Sequence, residues 1–118
     1  MKNGVENFKL QSKVSSLYKY ANQYIFSNVP KVYANYRQKL DLELYELIHN
    51  VFRANLNSGN IRNKYQKEIL VNVCTIDLLL TTFLELKIIE KKRFMAMTNM
   101  LLEIKKMIYG WIENEKLS

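Results

Sequence analysis

Acid-base or metal chemistry needs titratable groups at defined spacings, and this chain offers few of them. His49 is the only histidine in 118 residues. With Glu46 it forms a Glu-x-x-His spacing, which is what one helix contributes to a dinuclear carboxylate site. A full site needs the same pair on a second helix, and no second histidine exists. No metal centre or cofactor is therefore expected, and His49 reads as a surface or helix-packing residue. Cys74 is the single cysteine, so one chain can build neither a disulfide nor a thiolate metal site, which suits a reducing compartment. GxxxxGK[ST], GxGxxG and HExxH motifs are all missing, so no enzymatic activity is expected.

Asp77 is the unusual acid. It stands between Ile76 and Leu78 in the most apolar stretch of the chain, where a carboxylate is costly unless paired. A tyrosine, arginine or lysine partner that fixes helix register is the first expectation, and a contact at a subunit interface is the second.

Charge gives the positive lead. Lys and Arg number 18 against 11 acids, a net +7 with a pI near 9.5, and that balance favours polyanionic partners. The excess lies towards the two ends of the chain. Arg62, Lys64 and Lys67 fall in the expected first turn and a half of a third helix, and Lys91, Lys92 and Arg93 open a fourth. Exposed N–H groups and side-chain charge could together hold phosphate oxygens at both places, the plain alternative being a solvated face. Lys105 and Lys106, with Arg37 and Lys39, extend the basic surface. Tyr18, Tyr20, Tyr24, Tyr33, Tyr36, Tyr45 and Tyr65 interleave with these charges and either stack on unpaired bases or pack their rings.

The elements that place these groups follow from spacing and punctuation. Leu10, Val14, Leu17, Tyr18, Ala21, Tyr24 and Ile25 recur at three and four, predicting a helix over about 7–26. Pro30 ends that segment and suits the first turn of a second helix, about 31–55, with Tyr33, Tyr36, Leu40, Leu44, Leu47, Ile48, Val51 and Phe52 inward. Asn57-Ser58-Gly59-Asn60 reads as a turn. A third helix over about 63–86 carries the stripe Ile69, Val73, Ile76, Leu80 and Phe83, with apolar residues around most of its remaining circumference. Such a helix exceeds what three neighbours can cover, so a second chain is expected on it, at Leu70, Cys74, Asp77 and Leu78. The fourth helix, about 90–114, turns Phe94, Met97, Leu101, Ile104, Ile108 and Trp111 inward, and Gly110 is expected to admit a neighbouring backbone. Short connections make neighbours antiparallel. The expected architecture is all-α: a single domain over 1–118 forming an up-down-up-down four-helix bundle. No apolar run approaches the roughly 20 residues of a membrane span, and MKNGVENFKL lacks a secretory pattern, so a cytoplasmic protein is expected.

Helix order, the VPK segment at Val29–Lys31, Asp77 amid leucines and the ending LLEIKKMIYGWIE together resemble a known family. It comprises the accessory variability determinant (Avd) of diversity-generating retroelements and the proteins encoded in intervening sequences of bacterial ribosomal RNA genes. Leu102-Glu103-Ile104 through Gly110-Trp111-Ile112 is similar to the family's LEEIGRMLGGWI ending. The SNIAEG motif of the intervening-sequence branch is missing, which places the resemblance with the Avd branch. The resemblance implies a homo-oligomer, a pentameric barrel of bundles, that binds a reverse transcriptase and its template RNA without catalytic activity of its own. Family arginines in the second half of the third helix have no counterpart between Asp77 and Leu86, which moves the expected RNA contacts to Lys64, Lys67, Lys91, Lys92, Arg93, Lys105 and Lys106. The rival reading is an oligomeric protein-interaction scaffold that binds no nucleic acid.

Overall fold

A computed structural model describes residues 2–117, with side chains from Lys9 to Leu117. Four helices, α1 (Lys2–Tyr20), α2 (Ala34–Leu56), α3 (Gly59–Glu85) and α4 (Lys91–Leu117), form an antiparallel bundle about 48 Å long. Each helix packs on its chain neighbour and α1 closes against α4, with the α2–α3 contact the most extensive. Most of the inward stripes read from the sequence form the core: Leu10, Val14 and Leu17 of α1, Leu40, Leu44, Leu47 and Val51 of α2, Ile69, Val73, Ile76, Leu80 and Phe83 of α3, and Met97, Leu101, Ile104, Ile108 and Trp111 of α4 are buried, while Tyr18, Tyr24, Tyr33, Tyr36, Ile48 and Phe94 are half-buried. Phe52 is a correction. It lies on the outer side of α2 and is 48% exposed.

The ends of the helices depart from the sequence reading for identifiable reasons. After Tyr20 the backbone widens into a π turn (Ala21–Ile25) and then tightens into a 3-10 turn (Phe26–Asn28). Asn22 and Asn28 donate their side-chain amides to the carbonyls of Tyr18 and Tyr24, at 2.9 and 3.1 Å, supporting this change of pitch. Pro30 is extended and precedes a 3-10 turn (Lys31–Tyr33), so α2 begins at Ala34 and the proline is not in its first turn. Helix α3 begins four residues before the expected start, because Ser58 takes an extended cap conformation and Gly59 supplies φ +60°. At the other end of α3, Lys87 N–H donates to Leu84 O and Ile88 N–H to Phe83 O, a Schellman closure. It places Lys87, rather than glycine, at φ 60°. That left-handed conformation costs about 1 kcal/mol for a residue with a Cβ.

Polar residues between α2 and α3 form a network that the apolar stripes did not reveal. Asn50, buried on α2, donates to Asn72 Oδ1 at 2.8 Å, and Asn72 donates to Glu43 at 3.1 Å. Arg53 closes the chain with a bond to Asn50 Oδ1 at 3.0 Å, its guanidinium over the Tyr65 ring. Removing Asn72 strands the buried Asn50 amide away from water, so Asn72→Ala is expected to cost about 2 kcal/mol in denaturant unfolding. Replacing Asn50 and Asn72 together by leucine should be close to neutral, since both partners then become apolar. Additive single-variant losses in the double variant would show that the two amides do not act as a unit.

Candidate nucleic-acid interface

Lys64 and Lys67 are exposed on α3, Lys106 is exposed on α4, and Lys105 is half-buried where it lines the groove between these helices. The antiparallel register, fixed where Arg62 of α3 meets Glu115 of α4, brings these four lysines to the same half of the bundle's length. Lys91 and Lys92 are exposed at the start of α4. Lys92 lies about 21 Å from Lys106 along the helix at 1.5 Å per residue. The predicted cations therefore form two basic regions, not one patch. Lys64, Lys67, Lys91, Lys92, Lys105 and Lys106 make no ion pair among the described residues.

Two expectations about helix starts change. Because α3 begins at Gly59, Lys64 and Lys67 sit in its second and third turns and cannot share a phosphate with its unpaired first-turn N–H groups. Arg62 is engaged in structure. Its Nε donates to the carbonyls of Ala54 and Asn57 at 3.0 and 2.8 Å, its Nη1 pairs with Glu115 at 2.5 Å, and its guanidinium lies 5.4 Å from the centre of the Trp111 ring. Trp111 Nε1 donates to the same Glu115 oxygen at 3.2 Å. One arginine thus ties the end of α2 and the start of α3 to the last turns of α4.

Arg93 differs from its lysine neighbours by pointing towards α1. Its Nη1 donates to the Tyr20 hydroxyl at 3.2 Å, and its guanidinium carbon lies 4.2 Å from the centre of the Tyr24 ring. The rings of Tyr20 and Tyr24 are 4.7 Å apart. The bond to Tyr20 leads the effects that raise the Arg93 pKa above the ordinary arginine value, with both tyrosines and Glu90 adding to it. This cation is fixed in place as well as charged. Of the remaining tyrosines, Tyr18, Tyr33, Tyr36 and Tyr65 pack half-buried against the core, and Tyr45 is exposed.

The residues expected at an oligomer interface divide. Leu70 is half-buried against the core, whereas Cys74 and Asp77 are exposed and Leu78 is 67% exposed. The expected internal partner for Asp77 is a correction: one step of 100° along the helix carries it away from buried Ile76, and its carboxylate faces solvent in the α3–α4 groove. Val71, also exposed, continues the apolar strip of Cys74 and Leu78. Across the groove lie Met95, Leu102 and Tyr109, seven residues apart on the outer side of α4. A second strip carries no counterpart among the expected interface residues. Leu42, Tyr45, His49, Phe52 and Leu56 follow each other at three and four along the outside of α2. His49 lies against Tyr45, ring centres 4.7 Å apart, and Glu46 pairs with Arg53, so neither is arranged as a ligand. The corresponding outer positions of α1 are polar: Ser12, Ser16 and Lys19. Gly110 is also a correction. A Cβ there would meet nothing within 4 Å, so no backbone approaches it.

Among the described residues no group of three or more His, Cys, Asp or Glu could hold a metal ion, and no helix is long and apolar enough to cross a membrane. The fold and this surface define an all-α four-helix bundle with two basic regions and two outward apolar strips. Comparison with family models, curated proteins and solved structures returned no match.

Proposed function

We propose that this chain is a non-catalytic nucleic-acid-binding accessory protein of the diversity-generating retroelement type. It binds template RNA and the reverse transcriptase as a homo-oligomer, a pentamer on the Avd resemblance, in the cytoplasm. The observation that carries the nucleic-acid reading is the set of six lysines, in two regions of the bundle, that form no ion pair among the described residues. Such charges bind phosphate by releasing counterions, without reading bases. The oligomer draws on the two apolar strips. A strip on one helix that meets the other strip on the next protomer makes a head-to-tail contact, and such contacts close into a ring when the rotation between protomers allows it and run on as a filament when it does not.

The test is a binding isotherm with a structured RNA across a salt series. Replacing Lys91 and Lys92 by glutamine should flatten the slope of log K against log salt by about 0.7 for each phosphate that is no longer neutralised. The scaffold reading rests on the apolar strips alone, and it predicts that no RNA is retarded at physiological salt by either protein.

A further inference from the structure

A polar cavity of about 600 Å³ opens at the end of the bundle where α1 finishes and α3 turns into α4, lined by Tyr24, Asn28, Lys87, Ile88, Ile89, Glu90 and Arg93. This volume is typical of a small-molecule site. Buried Ile88 and Ile89 give it an apolar floor, while Lys87, exposed, and Arg93, half-buried, bring two cations to one opening. Arg93 already lies over the Tyr24 ring, its guanidinium carbon 4.2 Å from the ring centre, and is tethered to Tyr20, so presenting this charged surface requires little further ordering. Asn28 uses its amide nitrogen on the Tyr24 carbonyl, which leaves its side-chain oxygen to accept from a base edge. Glu90 on the rim is an acceptor suited to a sugar hydroxyl, and the positive end of α4 lies at the same opening.

We propose that this cavity holds one unpaired nucleotide of an RNA strand, with its phosphate between Lys87 and Arg93 and its base stacked on the Arg93–Tyr24 pair. The proposal rests on the nucleic-acid reading and adds to it a preference for unpaired strand over duplex. Stacking on an aromatic or guanidinium plane is available only to a base released from its partner.

The experiment compares a blunt RNA duplex with the same duplex bearing an unpaired uridine overhang, and adds uridine 5′-monophosphate as a free ligand. Wild-type protein should prefer the overhang by about tenfold. Lys87→Gly suits the left-handed backbone at that position, so it removes the charge without endangering the fold. It should abolish the preference while blunt-duplex affinity stays within twofold, and Arg93→Ala, at a cation also expected to contact RNA, should abolish the preference along with part of the duplex affinity. Arg93→Lys, which keeps charge and loses the plane, should abolish most of the preference as well. Variants that retain the preference would overturn the pocket and leave the nucleic-acid reading standing. If wild-type protein bound neither RNA yet took the mononucleotide in a Lys87-dependent way, the cavity would be a site for free nucleotides, and both the RNA-strand proposal and the wider reading would fall. Binding of none of the three would refute both.

Discussion

Arg62→Ala is expected to lower the free energy of unfolding by about 3 kcal/mol, measured by denaturant titration. The side chain is only 18% exposed and donates charge-assisted hydrogen bonds to two carbonyls of the α2 end and to Glu115. Hydrogen bonds to charged groups contribute about 1.5–3 kcal/mol each, and truncation leaves their partners in place with water only partly admitted. Arg62→Lys should recover less than half of the loss, because an ammonium cannot span the carbonyls and the carboxylate in one plane while lying over Trp111. A loss below 1 kcal/mol for alanine would mean that solvent replaces these bonds freely.

The second large effect concerns assembly. Charging the α3 strip with Val71→Lys and Leu78→Lys, or the α2 strip with Leu42→Lys and Phe52→Lys, should each weaken self-association at least a hundredfold. Unpaired charges buried in an interface cost several kcal/mol, and all four positions are already exposed in the protomer, so the fold should survive. A head-to-tail ring makes a sharper demand. The two variants mixed in equal amounts should form a one-to-one dimer, since each retains the face that the other has lost, and should stop there. If the mixture stayed monomeric while the α2 variant alone still assembled, the α2 strip would not be part of the interface.

The architecture was legible because burial in a bundle follows period, and period can be read from the sequence. Ile69, Val73, Ile76, Leu80 and Phe83 stand at three and four, and all are buried. Asp77 was misleading because its apolar neighbours in sequence point in other directions on a helix. Helix starts were less legible: Asn-Ser-Gly-Asn contains turn residues, yet one extended serine and a glycine at positive φ suffice to launch α3 within it. The role of Arg62 could not be read locally, because its carboxylate partner lies 53 residues away. The end cavity was hidden for the same reason. Tyr24, Lys87 and Arg93 come from the end of one helix and both sides of a distant turn, and only the closed bundle brings them together. The α2 strip carried a visible signal, since Leu42, Tyr45, His49, Phe52 and Leu56 keep heptad spacing. It was masked by a second, stronger apolar stripe on the same helix.

The most direct test of the central claim is the affinity of the purified protein for RNA, measured by fluorescence anisotropy from low to physiological salt. With at least four lysines on phosphates, log K should fall linearly with log salt at a slope of about −3 or steeper. A flat line, or no binding at the lowest salt, would contradict the account.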